Sequence, residues 1–177
     1  MFHINDYVVY GEHGVCLIMD IGTPDISGID QTCQYYVLQP CYSAGKTIYT
    51  PVDNEKVVMR RILTEQEATE LINKIPVIDT IWITNEKFRE DSYKKLLRSH
   101  LCEEWVKMIK TLYLRRIQRK AEGKTVTATD EKYLKMAENN LYGELSLALR
   151  IPADKLEDYI TQKINEIEKT EGMTQIK

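Results

Sequence analysis

Residues 6–21 read DYVVYGEHGVCLIMDI, in which two runs of β-branched and aromatic residues flank the polar turn GEHG. Such a pattern predicts two strands joined by a turn. Further short runs follow at residues 33–38 (CQYYVL), 47–50 (TIYT) and 56–60 (KVVMR), separated by segments rich in Gly, Pro, Asp and Ser. Five short strands with turns at this spacing predict a small, strongly bent antiparallel sheet or barrel.

The hydrophobic period changes after residue 62, and helices are predicted from there onward. Thr64 and Glu67 form a capping box, and Pro76 ends the helix that follows. Later helices are predicted from Asn85 to about residue 98, and over residues 101–121, 127–149 and 152–168. We therefore predict an α+β chain: a β domain over residues 1–62, a capped helix and linker over 63–84, a helical domain over 85–170 and a loose tail over 171–177.

The composition limits the class of protein. The 177 residues are 43% hydrophobic and carry a net charge of −3. No apolar run approaches the roughly 20 residues of a membrane span, and the N-terminus lacks the basic and apolar regions of a signal peptide. Four cysteines without a CxxC pair indicate reduced thiols. We expect a cytoplasmic protein that contacts no membrane, and nothing in the sequence requires more than a monomer.

Residue patterns typical of catalysis are missing from the sequence. There is no glycine-rich phosphate loop, no GxSxG and no HExxH. His13 with Cys16, and His100 with Cys102, are close pairs, but no second pair stands at zinc-finger spacing. We expect no enzyme activity, no cofactor and no metal site.

The charge is unevenly distributed along the chain. Residues 94–124 contain ten Lys and Arg against three Asp and Glu, a net charge of +7 within an acidic protein. A locally basic segment attracts phosphates even when the whole chain is acidic. The alternative is a solvated helix face with no ligand.

Several motifs together resemble one family. Residues 6–11 (DYVVYG) and 13–15 (HGV) open the chain, and residues 47–51 (TIYTP) are followed by Asn54 and VVMR. The helical half contributes IKTLYLRR from residue 109 and NLYGEL from residue 140. In this order they resemble the CarD/CdnL family of bacterial transcription regulators, over about residues 1–150. The N-terminal half is also similar to the polymerase-interacting domain of transcription-repair coupling factor, which lacks this helical half.

This resemblance implies a Tudor-like β-barrel that docks on the lobe of the RNA polymerase β subunit. It also implies a helical domain that reaches promoter DNA at the upstream edge of the transcription bubble, where a tryptophan wedges into the minor groove and changes open-complex lifetime. The matching polymerase-binding residues are Thr47, Ile48, Tyr49, Thr50 and Pro51. Tyr49 stands where several relatives carry an arginine.

The DNA-contacting residues are less closely matched to the family. Relatives carry their tryptophan near the positions of Thr84 and Asn85, whereas this chain has Trp82, which serves as a wedge or packs with Ile78 and Ile81. Trp105 shares a stripe with Leu101, Ile109 and Leu112 and is predicted to be core. The basic end of that helix either projects past the core or lays its side-chain stems over it. The predicted DNA-contacting residues are Trp82, Lys87, Arg89, Lys110, Arg115, Arg116, Arg119, Lys120 and Lys124.

The leading hypothesis is a non-catalytic regulator that bridges RNA polymerase and promoter DNA, mostly through phosphate and minor-groove contacts without sequence specificity. The alternative is a polymerase-binding adaptor that does not wedge DNA. DNA binding through phosphates predicts a steep dependence on salt, which an adaptor lacks.

Overall fold

The structure, a computed structural model, describes residues 1–42, 45–81, 83 and 86–174, and for residues 171–174 it describes the backbone alone. The chain divides into two compact units, Met1–Ile62 and Leu63–Lys177. The division falls where the hydrophobic period changes. Among the described residues, no helix is both long and apolar enough to cross a membrane.

The first unit is an antiparallel sheet. Within the described residues it has five strands, in the order β4-β3-β2-β1-β5. The five predicted strands are confirmed, although the fifth begins three residues later than predicted and the others shift by up to two residues. The strands are β1 (Tyr7–Tyr10), β2 (Val15–Gly22), β3 (Tyr35–Pro40), β4 (Ile48–Pro51) and β5 (Met59–Arg61).

The sheet contains a bulge and is not closed within the described residues. A register shift between Ile18 and Asp20 interrupts the pairing of β2 with β3, and bulges of this kind bend a strand. The short outer strands pair only inward, β4 with β3 and β5 with β1, over the part of the chain that is described. The α+β class is therefore confirmed, whereas the Tudor-like barrel is not.

The core of the sheet lies on one of its faces. It contains Val8, Cys16, Ile18 and Leu38, each fully buried. Gly11 is required beside this core, because it has φ +46° and an added Cβ would lie 2.6 Å from Val57 Cγ1.

The second unit is helical. Its helices are α1 (Glu65–Lys74), α2 (Arg89–Arg98), α3 (Cys102–Ala121), α4 (Ala128–Leu149) and α5 (Leu156–Thr174), with short 3-10 segments at Ile75–Val77, Glu86–Phe88 and Ala153–Lys155. The capping box of Thr64 and Glu67 is confirmed. The predicted helix start at Asn85 lies outside the described residues. Helix α5 runs through Thr174, which is four residues into the segment predicted as a loose tail.

The helical core agrees with most of the predicted apolar stripe. Trp105 and Leu112 are buried as predicted, and so is Leu145 on α4. Leu101 is exposed, because it is the N-cap of α3 with extended dihedrals and does not continue the helical stripe. Met136 on α4 is also exposed, whereas Tyr133 and Ala137 on the same helix are buried.

Candidate interaction surfaces

A buried carboxylate joins three helices of the second unit. Asp130, at the start of α4, has a side chain only 3% exposed. Arg115 Nε on α3 donates to its Oδ2 at 3.0 Å, and Arg89 Nε on α2 lies 3.2 Å from its Oδ1. Tyr93 donates its hydroxyl to Oδ1 at 3.2 Å. A buried charge is tolerated only with such partners, so Asp130 holds Arg115 by a hydrogen bond and keeps Arg89 beside it by charge, although Arg89 Nε makes no hydrogen bond.

A second carboxylate contacts the same arginines from the solvent side. Glu86 accepts two hydrogen bonds from Arg115, at 2.8 and 2.7 Å, and one from Arg89 at 2.6 Å. The hydrogen bonds from Arg115 hold the pKa of the Glu86 carboxyl below its ordinary value, so Glu86 is ionised at neutral pH. Burial raises the pKa of the Tyr93 phenol, which keeps it protonated as a donor to Asp130.

The C-terminal end of α3 is largely exposed to solvent. No residue from Tyr113 to the end of the helix is buried, although Leu112 is. Leu114 and Ile117 are exposed there beside the exposed cations Arg116 and Lys120. Arg115 and Arg119, by contrast, are half-buried and bond back to the helical unit, so each of the two predicted arrangements is seen in part. Exposed apolar and basic side chains together suit a nucleic acid or an acidic protein surface.

Helix α3 also holds the segment that leads to Trp82. The Lys110 ammonium donates to the carbonyls of Ile75 at 2.8 Å, Pro76 at 3.2 Å and Ile78. One residue further on, Thr111 Oγ1 accepts the N–H of Ile81 at 2.8 Å. These bonds fix the backbone of residues 75–81 to α3. Trp82 itself, with Thr84 and Asn85, lies outside the described residues, and its role as a wedge stays a prediction.

Replacing Lys110 is expected to lower stability before it affects any ligand. Lys110→Met leaves carbonyls at the end of α1 without their charged donor, which we expect to cost about 2 kcal/mol of unfolding free energy. The measurement is urea unfolding followed by tryptophan fluorescence. The matched control is Lys107→Met, whose ammonium pairs with exposed and half-exposed carboxylates, at 2.7 Å from Glu104. Equal unfolding curves for the two variants would contradict this role of Lys110.

Strand β4 forms one edge of the sheet, and β5 forms the other. Just after β4, the Val52 N–H donates to the Gln34 carbonyl on the β3 side at 2.9 Å. Backbone bonds alternate along an antiparallel pair, so Thr50 and Ile48 direct their N–H groups toward β3 while Tyr49 directs its N–H and carbonyl outward. The Tyr49 residue is 37% exposed. The edge thus offers a donor and an acceptor to an added strand.

Comparison with known proteins identifies the sheet unit. Residues 2–63 match the family model described as the CarD-like/TRCF RID domain. Residues 2–63 are a CarD-like/TRCF RID domain. This domain indicates a transcription-related function in which the chain interacts with RNA polymerase. A search of curated proteins gave no significant match to the chain.

The predicted polymerase-binding residues of the RID domain differ in how far their side chains are exposed to solvent. Thr47 and Tyr49 are exposed, and Ile48 is partly buried against the core. The Thr50 side chain is buried and its Oγ1 accepts a hydrogen bond from Asn54 at 2.9 Å. Thr50 therefore positions the strand, and the strand presents the outward backbone of Tyr49 and the exposed side chains of Thr47 and Tyr49 to solvent.

The predicted DNA-contacting cations fall into three groups. Arg89, Lys110 and Arg115 bond to other parts of the helical unit, as described above. Arg119 donates to the Thr125 carbonyl at 2.8 Å and Lys124 pairs with Glu122 at 2.8 Å, so both organise the turn after α3. The exposed members are Lys87, Arg116 and Lys120. The structure does not bring all of them to one surface, and their contact with DNA stays a prediction.

Sequence reasoning missed the carboxylates that hold the arginines. The sequence predicted only that a helix begins at residue 127, and Thr127 Oγ1 does accept the N–H of Asp130 at 3.1 Å at this helix start. Asp130 on α4 pairs with Arg115 on α3, and residue spacing within a single helix cannot predict a contact between two helices. The buried Glu144 was missed for the same reason: it accepts the Leu63 N–H at 2.9 Å and the Cys102 thiol at 3.1 Å.

Proposed function

We propose that the chain is a non-catalytic transcription regulator that binds the β-subunit lobe of RNA polymerase and promoter DNA at the upstream edge of the transcription bubble. The observation that carries the proposal is the RID domain over residues 2–63, with β4 at its outer edge. Polymerase binding places the helical unit near DNA. Its basic segment then modulates the lifetime of the open complex.

The polymerase contact is best explained by strand addition. An edge strand with outward N–H and carbonyl groups pairs with a partner strand, and the exposed side chains beside it supply specificity. Tyr49 provides both, since its backbone points outward and its ring is available as an apolar anchor. In this proposal, the lobe of the β subunit supplies the strand that pairs with β4.

The DNA contact is supported by charge and by the exposed end of α3. Residues 94–124 carry a net charge of +7, and Arg116 and Lys120 are exposed at that end. Phosphate contacts of this kind position a protein on DNA without reading its sequence. An apolar side chain at a base step, such as Trp82 in this proposal, hinders closure of opened DNA.

The test is the dissociation lifetime of promoter open complexes formed by the host polymerase, with and without the protein. We expect the protein to lengthen this lifetime. Arg116→Ala with Lys120→Ala is expected to reduce the effect and to lower the salt slope of DNA binding by about 2. The matched control is Lys132→Ala with Lys135→Ala, which removes the same charge from exposed positions on α4.

Two further outcomes separate the alternatives. If Trp82→Ala also shortens the lifetime, Trp82 is the wedge, and if it does not, the bridge operates without that wedge. An unchanged lifetime despite demonstrated polymerase binding contradicts the proposal. It would favour the adaptor, which is consistent with the non-aromatic Thr84 and Asn85 where relatives carry tryptophan.

A further inference from the structure

Arg89 and Arg115 lie between two carboxylates that differ in exposure. The inner one, Asp130, is 3% exposed, and the outer one, Glu86, is 59% exposed. The arginine side chains are 16% and 22% exposed. The two guanidinium groups are thus held from inside and covered from outside by different groups.

The inner contact orients Arg115 by a hydrogen bond and holds Arg89 by charge. Each directs its Nε toward Asp130, with Arg115 hydrogen-bonded at 3.0 Å and Arg89 at an ion-pair distance of 3.2 Å. Their terminal nitrogens then face Glu86: both Nη atoms of Arg115 and Nη1 of Arg89. Because Asp130 holds Arg115 by a hydrogen bond, the outward nitrogens of Arg115 keep their direction when Glu86 leaves. Arg89, whose Nε is buried without a hydrogen bond, stays beside Asp130 by charge.

The outer contact is the one that solvent reaches. Glu86 is 59% exposed, so its carboxylate is hydrated when it separates from the arginines, whereas Asp130 at 3% exposed is not. The arrangement that Glu86 completes, two oxygens on the fork of one guanidinium with a second guanidinium beside it, is also the arrangement that a phosphate group accepts. A phosphodiester carries the same single negative charge as Glu86, so exchange leaves the local charge balanced.

We propose that Arg89 and Arg115 form a binding site for a backbone phosphate of DNA, and that Glu86 occupies this site in the unbound protein. The inference rests on the proposed function for its ligand. Without Glu86 the cluster of Arg89, Arg115 and Asp130 carries one net positive charge toward solvent. With Glu86 it is neutral, so the protein's own carboxylate weakens DNA contact until a phosphate displaces it.

The first test measures the affinity of the full chain for a duplex DNA fragment over a range of salt. We expect Glu86→Gln to bind about 3–10 times more tightly than the natural chain, with a salt slope steeper by about one phosphate contact. The matched control is Glu103→Gln, which removes the same charge from an exposed carboxylate 3.7 Å from Lys107. We expect the control to change affinity less than twofold. Thermal unfolding of both variants verifies that the helical unit is intact.

A second test uses inorganic phosphate as the probe, so that the site is examined without DNA. Phosphate added to Glu86→Gln is expected to shift the side-chain Nε–Hε NMR signals of Arg89 and Arg115, at concentrations that leave the natural chain and Glu103→Gln unchanged. Arg115→Lys in the Glu86→Gln background is expected to abolish the phosphate-induced shift of the remaining Arg89 signal, because lysine lacks the fork.

The outcomes distinguish this inference from the proposed function. If the natural chain binds DNA and Glu86→Gln behaves like Glu103→Gln in both tests, the site is overturned while the proposed function stands. If no variant binds DNA but phosphate still binds Glu86→Gln at the arginines, the anion site stands while the DNA part of the proposed function fails. If neither the DNA test nor the phosphate test distinguishes Glu86→Gln from Glu103→Gln, the proposed anion site is overturned.

Discussion

Asp130→Asn is expected to destabilise the helical unit by about 3–5 kcal/mol, the range seen when one partner of a buried ion pair is removed. The substitution keeps the size of the side chain but leaves Arg89 and Arg115 facing a neutral amide. Both guanidinium groups are mostly covered, so water does not replace the lost carboxylate. The remaining outer carboxylate, Glu86, is too exposed to compensate for this loss.

Urea unfolding followed by tryptophan fluorescence measures this effect in the intact chain. Both tryptophans, Trp82 and Trp105, lie in residues 63–177, so fluorescence reports the helical unit and not the sheet. The matched control is Glu131→Gln, one residue later in the first turn of α4 and exposed. We expect a cost within roughly 1 kcal/mol for the control, the size of a helix-dipole contact. A loss at Asp130 no larger than the control would contradict the anchoring role.

Local patterns were sufficient to predict the elements of this fold. The strands at residues 6–21 follow from β-branched runs around a turn, and the capping box at Thr64 marks the start of α1. Closure of the sheet was beyond such reasoning, because it depends on whether two strands far apart in sequence pair with each other. Here β4 and β5 end the sheet on opposite sides, and no local pattern specifies that order.

The interaction surfaces were predictable only in part, for a related reason. The basic segment and its exposed helix end could be identified from composition and period, and the resemblance identified the family of the sheet unit. The partner of each cation could not be identified from sequence. Lys110 lies opposite the apolar stripe of α3, which indicates solvent exposure, yet its ammonium bonds to carbonyls more than 30 residues earlier in the chain. Arg115 is likewise paired by residues on two other segments.

Tyr49→Pro is expected to weaken binding to the polymerase β-subunit lobe by at least about tenfold while the sheet stays folded. Proline removes the one outward N–H that Tyr49 offers, and a partner carbonyl left without a donor costs about 1–3 kcal/mol. The sheet tolerates this change because proline is accepted on an edge strand where the N–H faces away from the neighbouring strand. The measurement is titration of the isolated lobe with the full chain, with an amide NMR spectrum to verify the fold.

Tyr49→Val is the matched control, because it keeps the backbone N–H and a strand-forming side chain while removing the ring. If strand addition dominates, Tyr49→Val retains most of the affinity and Tyr49→Pro does not. Equal losses in both variants would assign the binding energy to the aromatic ring as an anchor in a pocket of the lobe. Unchanged affinity in both would place the polymerase contact elsewhere on the RID domain. Because the backbone supplies the contact in strand addition, the tyrosine that replaces the arginine of several relatives is compatible with the same docking mode.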